Sequence, residues 1–226
     1  MIGVSIVTMY KLSNLTAWVD ICTYCNAKCP QCHRTNKSSL NKEDWVPLIQ
    51  WNLECFKKAF PISDLVKYSK FELCGTWGDP MLNKDIYDIV SYIINNSDCR
   101  VHINTNGSVR DPDFWWNFGV LGGKRVEVWF AEEGIDNDMH TLYRVGTDLD
   151  IIKDNIQAYT SAGGLASVFT VVFKHNHKYL DDIFSMCKSW GVNGSHFYTK
   201  SDRFWNGPSH DYYLNNKKYT LEAAND

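Results

Sequence analysis

Four of the eight cysteines fall in one run, "CTYCNAKCPQC", spaced Cys22-x2-Cys25-x3-Cys29-x2-Cys32. Thiols at that density close disulfides, hold a structural zinc or hold an iron–sulfur cluster. The opening residues, "MIGVSIVTMYKLSNLTAWVD", have no basic region leading into a long apolar run. They do not read as a secretory signal, so the expected location is cytoplasmic, where thiols stay reduced. A zinc ribbon separates its two cysteine pairs by about 15–20 residues, which lets the knuckles approach the ion from opposite sides. The three residues between the pairs here leave little room for that wrap. Nor does the spacing reproduce the C-x2-C-x2-C run of bacterial ferredoxins. The subset Cys25, Cys29 and Cys32 is more specific. Three thiolates can ligate three irons of a [4Fe–4S] cluster and leave the fourth open, and an open position marks a catalytic rather than a structural metal site. Cys22, outside the triplet and near the end of the first strand, then reads as structural. His33 reads as a loop histidine. A non-enzymatic, zinc-stabilised binding module using all four cysteines remains the alternative.

The elements that must position these thiols follow from hydrophobic period. Six apolar or β-branched runs read as strands: Ala17–Cys22, Lys70–Gly75, Arg100–Thr105, Arg125–Ala131, Ala166–Phe173 and Ser195–Tyr198. Between them lie helical stripes at Ile86/Ile89/Val90/Ile93/Ile94, Leu149/Ile152/Ile156/Tyr159 and Leu180/Ile183/Phe184/Cys187/Trp190. A further helix is expected within 42–60, starting after Pro47, which suits a first-turn position. Strand alternating with helix is the pattern of βαβ units and a parallel sheet. The thiol run follows the first strand, and "GTWGDP" and "TNGS" follow the second and third. All three therefore fall at the carboxyl edge, where such sheets place their sites.

The 226 residues suit one domain, 1–226, with a core over about 17–198 and a C-terminal tail, 199–226, expected to pack partly and then fray. Apolar residues make up 44% of the chain, enough for a sizeable core, and the formal charge is −3. No nucleic-acid or anionic-membrane surface is indicated by that charge. No stretch approaches the roughly 18 apolar residues of a membrane span. Cys55, Cys74, Cys99 and Cys187 are scattered singly and read as small buried hydrophobes.

"CNAKCPQC" resembles the cluster motif of the radical S-adenosylmethionine (radical SAM) superfamily, and the resemblance continues in order from about Ala17 to Tyr198. "ELCGTWGDPMLNKDI" is similar to the family's glycine-glycine-glutamate-proline turn, with Trp77, Gly78, Asp79 and Pro80 in that place. "HINTNG" resembles the strand ending in Thr-Asn-Gly. "VWFAEEGIDNDMHTLYRVGTDLDIIKDNI" resembles a fourth strand with an acidic-Gly turn and a following arginine, and "VFTVVFKHN" the fifth strand, ending near the adenine. The resemblance implies an α/β fold, a partial (β/α)6 barrel of parallel strands. It implies a [4Fe–4S] cluster on Cys25, Cys29 and Cys32. It also implies SAM bound near Trp77, Gly78, Asp79, Pro80, Asn106 and Arg144, the last toward the SAM carboxylate.

The implied activity is reductive cleavage of SAM to a 5′-deoxyadenosyl radical that abstracts hydrogen from substrate. The chemistry belongs to the cofactors, so the resemblance assigns no catalytic side chain. It implies a low-potential electron donor of flavodoxin or ferredoxin type and a peptide or protein substrate. A nucleotide or small metabolite is the alternative. Two positions depart from the family. Asp79 is one methylene shorter than the usual glutamate. Gln31 stands where an aromatic usually packs by the adenine. No cysteine follows Cys187, so no second cluster is implied.

Overall fold

All six expected strands form, and each pairs in parallel with the next in chain order. They are β1 (Leu15–Val19), β2 (Tyr68–Leu73), β3 (Arg100–Thr105), β4 (Val126–Ala131), β5 (Leu165–Val172) and β6 (His196–Lys200). The computed structural model describes residues 15–224; most of the N-terminal stretch read for a signal lies outside them. The sheet curls into a half-barrel with an open side between β1 and β6.

One face of each of β1–β5 builds the core. Ala17 and Val19, Phe71 and Leu73, Val101 and Ile103, Val126, Val128 and Phe130, and Ala166 and Val168 are buried together. They meet the apolar stripes of α3 (Ile86–Asn96), α4 (Pro112–Gly122), α6 (Leu149–Ser161) and α7 (Leu180–Ser189). The alternate residues, Glu72, His102 and Trp129 among them, face the inside of the curl. Helix α4 starts on a strong local signal: Asp111 caps it, accepting the N–H of Phe114 at 2.8 Å, and Pro112 takes the first turn. It crosses α6 so closely that a Cβ on Gly119 would sit 2.5 Å from the Tyr159 carbonyl oxygen.

Two expectations are corrected. The helix expected after Pro47 is only α1 (Leu53–Ala59), followed by the one-turn α2 (Ile62–Leu65). Residues 47–52 instead run extended beside the end of β1. Ile49 accepts the N–H of Thr23 at 2.9 Å, Trp51 donates to Ile21 O at 3.0 Å, and Asn52 then caps α1. Up to residue 224 the stretch after 200 does not fray. It forms an antiparallel hairpin, β7 (Ser209–Leu214) and β8 (Lys217–Glu222), around Asn215 and Asn216, both in the left-handed region. Tyr212 and Leu221 pack in a second core with Cys29, Leu40, Tyr143 and Phe173. The Tyr212 hydroxyl donates to Leu142 O at 2.7 Å. Among the described residues no helix is long and apolar enough to cross a membrane.

Candidate active site

A cavity of about 480 Å³ opens at the carboxyl edge of the sheet. Cys25, Cys29 and Cys32 all line it, together with Gly78, Asp79, Asn106 and Arg144. The loop after β1 brings the three thiols there because its backbone is pinned on several sides. Lys28 N–H donates to Val145 O at 2.7 Å, and Cys32 N–H closes a turn on Cys29 O at 3.0 Å. Arg34, itself buried, donates to Thr23 O at 2.9 Å and to Trp77 O at 3.1 Å. Gly78 lies against the start of the loop, where an added Cβ would come within 2.4 Å of Cys22 O. Any side chain there would push the thiol loop off the turn.

The thiols suit a metal cluster. Burial pushes Cys25 far above the ordinary thiol range, and neighbouring Asp79 adds to it. Burial likewise pushes Cys29 up to about 11, although Arg144 works against it. Both shifts favour the neutral thiol. Coordination deprotonates a thiol outright, so bound iron would hold these sulfurs as thiolates. Cys22 stands apart from these three. It is buried, its sulfur points to Tyr24 O at 3.8 Å, and it does not line the cavity. Among the described residues no three His, Cys, Asp or Glu converge closely enough to share a single ion.

Asp79, on the cavity lining and almost wholly buried, is tied down by hydrogen bonds. Thr105 Oγ1 lies 2.9 Å from both its oxygens, Asn106 donates its backbone N–H at 2.8 Å and its side-chain amide at 2.5 Å, and Met81 N–H donates at 3.0 Å. Burial still raises its pKa. Asn106 extends the tie to the thiol loop through Asn26 Oδ1 at 2.9 Å, with Cys25 Sγ at 3.9 Å. Trp77 and Pro80 do not line the cavity. Trp77 packs edge-on to Trp45 at 5.2 Å and beside His33 at 6.3 Å, and Pro80 opens a buried 3-10 turn.

Arg144 is held in a fork by the wholly buried Glu133, Nε to Oε2 at 2.7 Å and Nη2 to Oε1 at 2.8 Å. Burial alone would lower the guanidinium pKa, but Glu133 more than reverses this. Glu133 is the acidic residue before Gly134 in the turn that the family resemblance picks out, and the resemblance gives it no role. Nor does the sequence single out Thr199–Arg203, the end of β6 and the residues just past it, which forms the far wall of the cavity. Gln31 holds that wall. Its Oε1 accepts Ser201 Oγ at 2.6 Å, its Nε2 donates to Arg203 O at 3.3 Å, and its carbonyl accepts Arg203 Nη1 at 2.9 Å.

No family profile matches the sequence, and no curated protein is significantly similar to it. Solved structures are similar. Streptococcus suis SuiB bound to its precursor peptide SuiA superposes over 83% of this chain with a TM-score of 0.64 at 13% identity. Histidine-tagged anSMEcpe with bound AdoMet superposes over 82% with a TM-score of 0.62 at 15% identity. Native anSMEcpe with bound AdoMet and the Kp18Cys peptide superposes over 89% with a TM-score of 0.63 at 14% identity. The chain has the radical SAM fold. It spans 40% of SuiB and 51–56% of anSMEcpe, so the radical SAM fold is what the three share and those proteins extend beyond it.

Proposed function

We propose that the chain is a radical SAM enzyme that carries a [4Fe–4S] cluster on Cys25, Cys29 and Cys32 and acts on a peptide or protein. The carrying observation is that these three thiols, and not Cys22, line one cavity at the carboxyl edge of the half-barrel. When bound, the cluster and SAM supply reductive cleavage of the sulfonium and hydrogen-atom abstraction from substrate.

The chain's own residues bind, orient and shield. Gly78 and Asp79 fix the turn beside the thiol loop, and Asn106 joins that turn to the third strand. Arg144 is the proposed contact of the SAM carboxylate. Trp77 and Pro80, outside the cavity, support the turn from behind. Ala131, Phe169 and Val171 give the cavity an apolar wall, which keeps water from reactive intermediates. Neighbours solved with peptides bound support a peptide substrate. A low-potential donor of flavodoxin or ferredoxin type completes the scheme. All eight cysteines are free, in keeping with a reducing, cytoplasmic setting.

The test is anaerobic reconstitution. The expected protein is brown, binds about four irons per chain as one cubane requires, and forms 5′-deoxyadenosine from SAM and dithionite. A variant with Cys25, Cys29 and Cys32 replaced by alanine forms none. A colourless protein holding one zinc would overturn the reading.

A further inference from the structure

Glu133 lies two residues past β4 and is fixed at every polar atom. Its N–H donates to His140 Nδ1 at 3.3 Å, and its carbonyl accepts Asn176 Nδ2 at 3.0 Å. Besides the fork on Arg144, its Oε1 accepts the Val171 N–H at 3.3 Å. The fork occupies one edge of the guanidinium and leaves Nη1 against Cys29 Sγ at 3.6 Å. The Tyr143 ring, 5.1 Å away, closes another side. Arg144 cannot swing away without leaving a carboxylate buried and unpaired.

We propose that Glu133 is a positioning residue that pins Arg144 against the Cys29 sulfur and cancels the guanidinium charge there, so that a cluster on this thiolate keeps a low reduction potential. This rests on the assignment of Cys25, Cys29 and Cys32 as cluster ligands. Net charge and hydrogen bonds at the sulfurs set the potentials of iron–sulfur clusters. Reduction adds negative charge, so an uncompensated cation in a poorly hydrated pocket favours the reduced state and raises the potential. Breaking a sulfonium bond needs a strong reductant. Here the sulfur gains a directed N–H donor while the adjacent carboxylate offsets the charge that comes with it.

The experiment uses the reconstituted full chain, with iron content and the EPR-monitored midpoint potential as readouts. Glu133→Gln keeps the shape and removes the negative charge. It is expected to bind as much iron as the unmodified protein with a midpoint shifted positive. The double variant Glu133→Gln/Arg144→Gln, lacking both charges, is expected to return toward the original midpoint. An unshifted midpoint in fully loaded Glu133→Gln overturns the proposal. Should Glu133→Gln assemble no cluster, recovery of iron in the double variant supports charge cancellation, and loss in both overturns it. No iron in the unmodified protein instead overturns the cluster assignment beneath it.

Discussion

Asp79 and Thr105 lock the turn after β2 to the end of β3, with Thr105 Oγ1 at 2.9 Å from each carboxylate oxygen. Both residues are buried, and Asp79 also caps the 3-10 turn that follows it. The short aspartate reaches these partners at close range, where a longer glutamate would have to start from farther away.

Asp79→Ala therefore leaves the Thr105 hydroxyl and the N–H groups of Asn106 and Met81 without their acceptor. Each buried unsatisfied donor costs about 1–3 kcal/mol. The expected result is a lower urea midpoint with an unchanged m-value, and weaker SAM binding as the turn loosens. A midpoint equal to that of the unmodified protein would show that the tie is incidental.

Cys22→Ala is expected to retain the full iron content, whereas Cys25→Ala, Cys29→Ala and Cys32→Ala each lose most of it. The sulfur of Cys22 faces a backbone carbonyl outside the cavity, so its removal takes away packing and no ligand. Iron per chain after anaerobic desalting decides this. Loss of iron in Cys22→Ala would restore the four-cysteine reading.

Glu132 carries the expected pH dependence. It is wholly buried, and neither carboxyl oxygen has a hydrogen-bond partner. His140 Nδ1 lies 3.5 Å away; Glu133, Arg144 and Cys187 are the other ionisable groups that act on it or are acted on by it. Burial, and then the Glu133 charge, push its pKa well up, with Arg144 opposing. Burial pushes His140 down to about 3, so it stays neutral and offers no counter-charge. A carboxyl whose folded pKa exceeds its unfolded value stabilises the fold at low pH. That contribution is lost as pH rises from the unfolded value, about 4.3, through the raised folded value. Glu132→Met, of similar volume, is expected to flatten this loss and raise the neutral-pH melting temperature by about 2–4 °C per kcal/mol recovered. Parallel melting-temperature profiles of the two proteins between about pH 5 and 8 would rule the idea out.

Gln31→Ala is expected to free the cavity wall at 199–203 without unfolding the barrel. The side chain makes both of its hydrogen bonds to Ser201 and Arg203. Amide exchange across 200–207 should rise while β1–β5 remain protected, since local opening and global unfolding are separate events. Uniform loss of protection would instead make Gln31 part of the global fold.

The strands were readable because each is a short apolar or β-branched run closed by turn residues, and the thiol spacing singled out three cysteines. The segment 42–60 misled because Pro47 suits the first turn of a helix. In the fold Leu48 and Ile49 are exposed, and the backbone there pairs with the thiol loop, Gln50 bridging to Cys22. Helix α4 gave no clean stripe because Trp116 and Val120 leave apolar surface facing outward. Its Asp111-Pro112 start was the usable signal. The hairpin, too, had a signal that went unread: Asn215-Asn216 suits a tight turn, and Tyr212 and Leu221 fall on its buried face. The bond from Gln31 to Ser201 joins residues far apart in sequence, and no local pattern encodes such a pairing. The grip of Glu133 on Arg144 is equally silent in sequence, because two surface residues with the same spacing would look identical.

The β7–β8 hairpin, packed beside Cys29, also sets an order of events during synthesis. The thiol loop leaves the ribosome long before residues 209–222 exist, so for most of translation its sulfurs lack one wall of their housing. Iron delivered before that wall arrives meets an accessible, oxidation-prone loop; iron delivered afterwards meets a shielded one. Maturation of the proposed metal centre would thereby be tied to the late-made part of the chain, and ribosome-bound chains halted before Ser209 should take up and lose iron faster than the finished protein.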